Sequence, residues 1–240
     1  ALQVNPEDGK PLNALGNPWD ITGEDNSGYG KIIATRGSSR WQASEGPEVI
    51  YRDGYYYLFL AYGSLSVEYN TRVCRSRNID GPYVDIHGNS AMGSAQLYPI
   101  LTAPYRFDNS YGWVGISHCG IFDDGAGNWF YTSQGRFPVN VGGNEYSNAI
   151  MMGHVRSIRW DANGWPLVMP ERYGAVPQAP ITENEIAGDW EHLALTNSTG
   201  TQRTSETMTY DLDTHKITSG SWKNATWTFD AATQTITTSA

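Results

Sequence analysis

Two polar residues, Glu45 and His118, stand at the start of similar stretches and are the strongest candidates for chemistry. Each is followed by an apolar run, and each precedes a turn glycine by nine residues, Gly54 and Gly127 respectively. The two stretches are therefore offset by 73 residues. An aromatic strand follows each glycine, so each stretch predicts a β-hairpin with a glycine-bearing turn.

A second pair of strands follows each hairpin. Residues 72–83 and 155–166 both contain an Arg-Ser strand, an Asp/Asn/Gly turn and then an aromatic residue. Each unit therefore predicts four up-and-down strands, the architecture of a β-propeller blade. Residues 1–12 match only the closing hairpin of such a unit. Two blades and a fragment cannot close a propeller, so we expect an N-terminal half to be supplied by a separate chain or a lost segment.

This topology predicts that Glu45 and His118 lie at the central axis, on one face with loops 61–71 and 134–150 and connections 13–44 and 88–117. These segments are rich in aromatic rings, which pack well on the apolar faces of sugars. The face is therefore predicted to bind a sugar chain, the alternative being that most of the rings brace loops. The rings are Trp19, Trp41, Tyr62, Tyr69, Tyr105, Phe107, Tyr111, Trp113 and Tyr146.

Glu45 precedes Gly46-Pro47 and opens a strongly apolar strand, so we expect it to point towards the axis. A carboxyl group near low-dielectric walls and other carboxylates has a raised pKa, which makes Glu45 a candidate general acid. The alternative is an ordinary strand-end glutamate in a salt bridge. For His118 the pattern allows a metal ligand, a substrate contact or a hydrogen-bonded core residue, and favours the last, because no metal-ligand spacing surrounds it.

Composition narrows the function classes. The net charge of −9 argues against a nucleic-acid partner. The sequence contains no run of about 18 apolar residues, so we expect no membrane-spanning helix. Aromatic residues at 12 % together with 26 glycines are typical of secreted carbohydrate-active β proteins. If the protein is secreted, its leader has been removed or lies upstream. Cys74 and Cys119 could form one bridge, but two buried free thiols are favoured.

Four segments resemble glycoside hydrolase family 43. Residues 44–63 and 69–83 resemble the segment that carries the general acid, and residues 115–122 resemble the one with the metal-binding histidine. Residues 155–166 resemble the closing hairpin. The similarity covers roughly residues 1–175 and is greatest to the secreted endo-α-1,5-L-arabinanases.

The resemblance implies a five-bladed propeller that hydrolyses arabinan with inversion. It gives Glu45 the role of general acid, and it assigns His118 to one central calcium ion held mostly by water, in place of the core role that the pattern alone favours. The predicted substrate contacts are Tyr62, Trp113, Gln134 and Arg136. The catalytic base and the residue that tunes the acid belong to earlier blades in this family, and no residue here matches them.

Two alternatives stay open at this point. One is another activity of the same family, such as an exo-acting arabinofuranosidase or a β-xylosidase. The other is a non-catalytic propeller fragment that binds carbohydrate without hydrolysing it.

The sequence predicts a domain boundary at the proline-containing linker 173–180. Residues 1–174 form the blades, and residues 181–240 resemble a small C-terminal β-barrel found in some relatives. The expected strands are 189–196, 204–212, 215–222 and 225–238, and Trp190, Trp222 and Trp227 are expected to fill its core.

Overall fold

A computed structural model describes residues 1–12, 30–36, 44–65, 67–93, 96–142, 147–196 and 201–240. The described chain is all-β, with short 3-10 turns at Ser147–Ala149 and Glu183–Glu185. Its strands are β1 (Ser44–Arg52), β2 (Tyr55–Tyr62), β3 (Asn70–Ser76), β4 (Ile100–Thr102), β5 (Tyr105–Arg106), β6 (Gly120–Asp123), β7 (Trp129–Gly135), β8 (Met152–Trp160), β9 (Pro166–Val168), β10 (Gly188–His192), β11 (Arg203–Thr204), β12 (Glu206–Asp211), β13 (Lys216–Ile217), β14 (Thr226–Asp230) and β15 (Thr235–Ser239). Within the described residues, no helix has the length and apolarity needed to cross a membrane.

The two repeats fold into two four-stranded antiparallel sheets, β1-β2-β3-β4 and β6-β7-β8-β9. The first hairpin closes through Asp53 and Gly54, which both have positive φ, as a tight two-residue turn requires. In the second sheet the Asp124 carboxylate accepts the backbone N–H groups of Ala126 and Asn128 and so closes the longer turn. The two sheets form part of a propeller, as the repeat predicts.

The fourth strand of the first sheet is split, unlike its counterpart. Val84 bridges Arg75 at one end of β3, and β4 pairs with the other end of β3. Between them the chain loops around the buried Asp85, whose carboxylate accepts the N–H groups of His87, Asn89 and Tyr98. These bonds satisfy backbone donors that have left the sheet, so β4 falls in what the sequence suggests is a connection.

The main core lies between the two sheets. It is aromatic and β-branched, and its buried members are Tyr57, Phe59, Val73, Leu101, Tyr105, Ile116, Cys119, Ile121, Tyr131, Ile158 and Trp165. The other face of the first sheet is covered by a second cluster that contains Tyr62 and Leu97. Cys74 and Cys119 are free and buried, as favoured from the sequence, and burial raises the pKa of each thiol to about 12.

Residues 1–12 form a short turn that matches the closing hairpin of the second sheet. Val4 bridges Pro11, just as Trp160 pairs with Pro166. The Gly9 N–H binds the Asn5 carbonyl, as the Gly164 N–H binds the carbonyl of Asp161. The internal repeat therefore extends to this fragment.

The C-terminal segment forms a five-stranded sheet, β10-β12-β13-β14-β15. The stretch 225–238, expected to be one strand, is a hairpin of β14 and β15 that closes through residues 231–234. Trp227 is 1 % exposed in the core, whereas Trp190 and Trp222 are 43 % and 37 % exposed. The expectation that all three tryptophans fill the core is therefore wrong for two of them: Trp190, which pairs with Met208, lines the space between the two domains, and Trp222 lies in the turn before β14.

A short parallel pair of strands, β5 and β11, joins this sheet to the propeller blades. The Gln202 side-chain amide next to β11 also donates to the Tyr105 and Tyr111 carbonyls. Tyr105 and Phe107 were expected on the Glu45 face, but they instead line the space between the two domains. A strand pairing between segments almost 100 residues apart has no local sequence signal.

A β-bulge at the start of β1 positions Glu45. The register of β1 against β2 shifts between Glu45 and Glu48, and Gly46 has φ +55°. A Cβ atom built on Gly46 would lie 2.8 Å from Cδ2 of His118. Glycine is required here for both conformation and space.

We expect Gly46→Ala to destabilise the protein by about 2 kcal/mol or more, since it adds a clash with His118 to the cost of positive φ. Gly125→Ala is the matched control, because Gly125 also has positive φ but a Cβ there would meet nothing within 4 Å. Urea denaturation measures both. Equal losses in the two variants would contradict close packing of Gly46 on His118.

Candidate functional site

Glu45, Tyr69 and His118 meet at one end of the two sheets. The Tyr69 hydroxyl donates a hydrogen bond to Oε1 of Glu45 and lies 3.3 Å from Nδ1 of His118. Glu45 Oε1 and His118 Nδ1 are 3.9 Å apart. The three side chains come from β1, the start of β3 and the connection before β6, so the structure brings together the two residues that the repeat singled out.

The three side chains of the site differ in their exposure to solvent. Tyr69 is buried, whereas the side chains of Glu45 and His118 are 59 % and 56 % exposed. Burial and the bond to Glu45 raise the pKa of Tyr69 well above its usual value, so the phenol stays protonated and remains a donor. Glu45 can therefore be held on one oxygen while the other faces solvent.

His118 lies two residues before β6 rather than at its first position, and it has φ +57°. The preceding residue, Ser117, is fully buried and bonds the Thr71 hydroxyl, and Thr71 in turn bonds the hydroxyl of Tyr131. This chain of hydroxyl groups fixes the backbone on both sides of the site.

The other predicted contacts fall into two groups. Trp113 and Arg136 are neighbours, because the backbone of Val114 pairs with that of Arg136. Trp113 stacks on Phe137 with ring centroids 4.7 Å apart, and Arg136 donates to the Asn148 carbonyl. Gln134 is partly exposed near the end of β7.

Tyr62, by contrast, is 2 % exposed and packs in the second core cluster with Arg36 over its ring. Burial raises its pKa to about 12. Its enclosed ring offers little surface to a ligand, so its role as a substrate contact stays a prediction. Three further predicted rings, Trp19, Trp41 and Tyr146, lie outside the described residues.

His154 is buried against the edge of the Trp113 ring, with centroids 4.3 Å apart. Burial, followed by the charges of Arg156 and Arg172, lowers its pKa to about 4, so the imidazole is neutral near pH 7.

The bond from Tyr69 to Glu45 was not predicted, although Tyr69 was placed on the correct face. The signal lies in strand register: Ser44 pairs with Tyr62, and Tyr62 pairs with Asn70. Residues 44–45 and 69–70 therefore sit at the same end of neighbouring strands, a register that requires knowing both hairpin turns.

The metal-binding potential of the site is limited. Among the residues that the structure describes, no group of three or more His, Cys, Asp or Glu side chains could hold a metal ion. His118 offers one imidazole and Glu45 one carboxylate, while calcium takes six to eight oxygen ligands. These residues fit a calcium ion only if water supplies most of its ligands.

Two family models match parts of this chain. Residues 170–240 match a C-terminal lipocalin-like domain. The chain is 29 % identical over 212 residues to the extracellular endo-α-(1→5)-L-arabinanase 2 of Bacillus subtilis strain 168, a match that covers 79 % of this chain and 40 % of that protein.

Two solved structures resemble the chain over 95 % of its length. One is a family 43 glycoside hydrolase from Bacillus licheniformis, with a TM-score of 0.76, 25 % identity and 51 % of that chain covered. The other is the endo-1,5-α-L-arabinanase of Thermotoga petrophila RKU-1, with a TM-score of 0.74, 26 % identity and 49 % covered. The chain thus spans two fifths to about half of the length of these relatives. Its residues 10–166 match the model of glycosyl hydrolases family 43, and the chain belongs to that family.

Proposed function

We propose that this chain carries the general-acid side of an inverting endo-α-1,5-L-arabinanase that cleaves internal bonds of arabinan. The observation that carries the proposal is the contact of Glu45 with Tyr69 and His118 at the end of two propeller blades. The extracellular endo-arabinanase named above supports the substrate class and a secreted location.

In this proposal Glu45 protonates the leaving glycosidic oxygen. The Tyr69 hydroxyl donates to Oε1, so the proton to be transferred resides on Oε2, which is free to face the substrate. A carboxylate across the cleft activates water for attack on the opposite face of the sugar, which gives inversion. That carboxylate and the residue that tunes the acid would come from the remaining blades.

Trp113 and Arg136 are proposed to contact the sugar chain, together with Gln134. A ring stacked on Phe137 presents a rigid apolar surface to a sugar. The amide of Gln134 and the guanidinium of Arg136 supply hydrogen-bonding groups for sugar hydroxyls.

Glu45→Gln tests the acid assignment. We expect the rate of linear arabinan cleavage by the complete propeller to fall by about 10² to 10⁴, because the amide cannot donate a proton to the leaving oxygen. Binding of arabino-oligosaccharides, measured by calorimetry, should survive. Glu48→Gln on the same strand is the control, and near-normal turnover in Glu45→Gln would refute the assignment.

We further propose that His118 holds a single calcium ion whose remaining ligands are mainly water. When bound, the ion would supply fixed positive charge at the axis. The exposed imidazole of His118 is compatible with such a site.

Calcium is expected to raise the melting temperature of the complete propeller, since a ligand that binds only the folded state stabilises it. Chelation should reverse the effect, and His118→Ala should abolish it. His87→Ala is the control, because His87 packs on Tyr98 away from Glu45. A calcium shift of the same size in His118→Ala would contradict this role.

The outer face of the second sheet supports a proposal about the missing blades. Strand register places Phe122, Val155 and Leu167 on the face that points away from the core, and all three are exposed. Phe130 and Tyr173 extend this apolar surface. A sheet normally buries such a face against another layer. We propose that the N-terminal blades, in the same polypeptide or in a separate chain, cover it.

Intact-mass spectrometry of the protein from its source should therefore show a longer polypeptide or a companion of roughly half-propeller mass. Phe122→Asp should weaken association with those blades about tenfold or more, because it buries a charge in place of a large apolar ring. Ile79→Asp is the matched control, since Ile79 is also exposed but lies in a turn of the first sheet. Equal affinity in the two variants would argue against this face as the interface.

A further inference from the structure

A cavity of about 370 Å³ lies between the blades and the C-terminal domain, away from Glu45. The blades contribute Leu101, Tyr105 and Val168 to its wall, and the C-terminal domain contributes Leu195 and Met208. Its volume lies in the range of sites for small organic ligands, and domain interfaces are a common place for such sites.

The polar group that matters in this wall is Arg156, which is 1 % exposed. Its Nε donates to the Pro170 carbonyl at 3.4 Å, and Nη2 donates to the Tyr105 hydroxyl at 3.1 Å. Nη1 lies 3.1 Å from Nδ1 of His154. These contacts use three of the five N–H donors of a guanidinium.

None of these partners carries a negative charge. The carbonyl and the phenol are neutral, and His154 is neutral because its pKa is lowered to about 4. Among the described residues, Arg156 forms no ion pair with a carboxylate. A buried cation without an anion is costly, and an anionic group in the cavity would offset that cost.

Two further polar groups in the wall are already engaged. Glu191 accepts hydrogen bonds from the Asp108 N–H and the Ser205 hydroxyl. His192 pairs with Glu206 at 3.0 Å. Few groups are left for the many hydroxyls of a sugar, so the wall suits a ligand that is mostly apolar and has one polar end.

We propose that this interdomain cavity binds a small amphipathic carboxylate, whose apolar body packs on Leu101, Leu195 and Met208 and whose carboxylate accepts the free N–H groups of Arg156. Glu171 is exposed and also lines the cavity, and its negative charge disfavours an orientation that places the acid of the ligand beside it. A charge-assisted pair of this kind discriminates strongly between an acid and a neutral analogue.

Calorimetric titration of the full 240-residue chain with decanoate tests the proposal, with decanol as the neutral probe of equal chain length. We expect one decanoate per chain and an affinity at least about tenfold above that of decanol, since hydrogen bonds to charged groups contribute more than 1.4 kcal/mol. Equal affinities for the two probes, or no binding of decanoate, would overturn the proposal without the need for any variant.

Two variants locate the site. Arg156→Met should lose the preference for decanoate over decanol, whereas Arg159→Met, on the same strand but exposed on its other face, should retain it. Leu195→Trp should block both probes by filling the cavity, and it leaves Arg156 intact in case the buried substitution impairs folding. Decanoate binding to Leu195→Trp with the affinity of the unmodified chain would place the ligand elsewhere and refute the assignment.

Discussion

The packing of the two propeller sheets, and with it the position of Glu45, Tyr69 and His118, depends on one buried hydrogen-bonded cluster between the sheets. The hydroxyl of Tyr131, on β7, bonds the hydroxyl of Thr71, on β3, and lies 3.2 Å from that of Thr102, on β4. Ser117 joins through Thr71. Four polar side chains are thus satisfied inside an aromatic core, in which an unpaired hydroxyl would be costly. Because Tyr69 and His118 lie next to members of this cluster, the packing of the two blades also sets the geometry of the site.

Much of this architecture can be predicted from the sequence, because the same pattern of polar residue, apolar run and turn glycine occurs in both blades. The nine-residue spacing from Glu45 and His118 to their glycines places both hairpins and predicts that the two side chains converge. The sequence predicts that His118 opens its strand, but β6 begins two residues later, at Gly120, because the chain makes a tight turn at positive φ at His118. The spacing of apolar residues and the residue types in the turns are local properties of the sequence, so they can be read without knowledge of the tertiary fold.

What could not be predicted depends on contacts distant in sequence. The position of Tyr105 follows from the pairing of β5 with β11, which belongs to the other domain. Trp190 pairs with Met208, so its ring lies on the same side of the small sheet as that buried residue, but it borders the space between the two domains and stays exposed. The bond from Tyr69 to Glu45 follows from the register of three strands. In each case the sequence shows an aromatic residue suited to packing, but its position and exposure depend on a contact that is distant in the sequence.

The pairing of β5 with β11 also makes the chain between them a closed loop. Residues 107–202 leave one strand of this pair and return to the other, and they include the whole second sheet and the linker 173–180. The C-terminal domain can therefore separate from the blades only if this pair breaks, and the second sheet is tethered at both ends while the pair holds. Because the pair closes this loop, we expect release of the small domain to loosen the last blade as well.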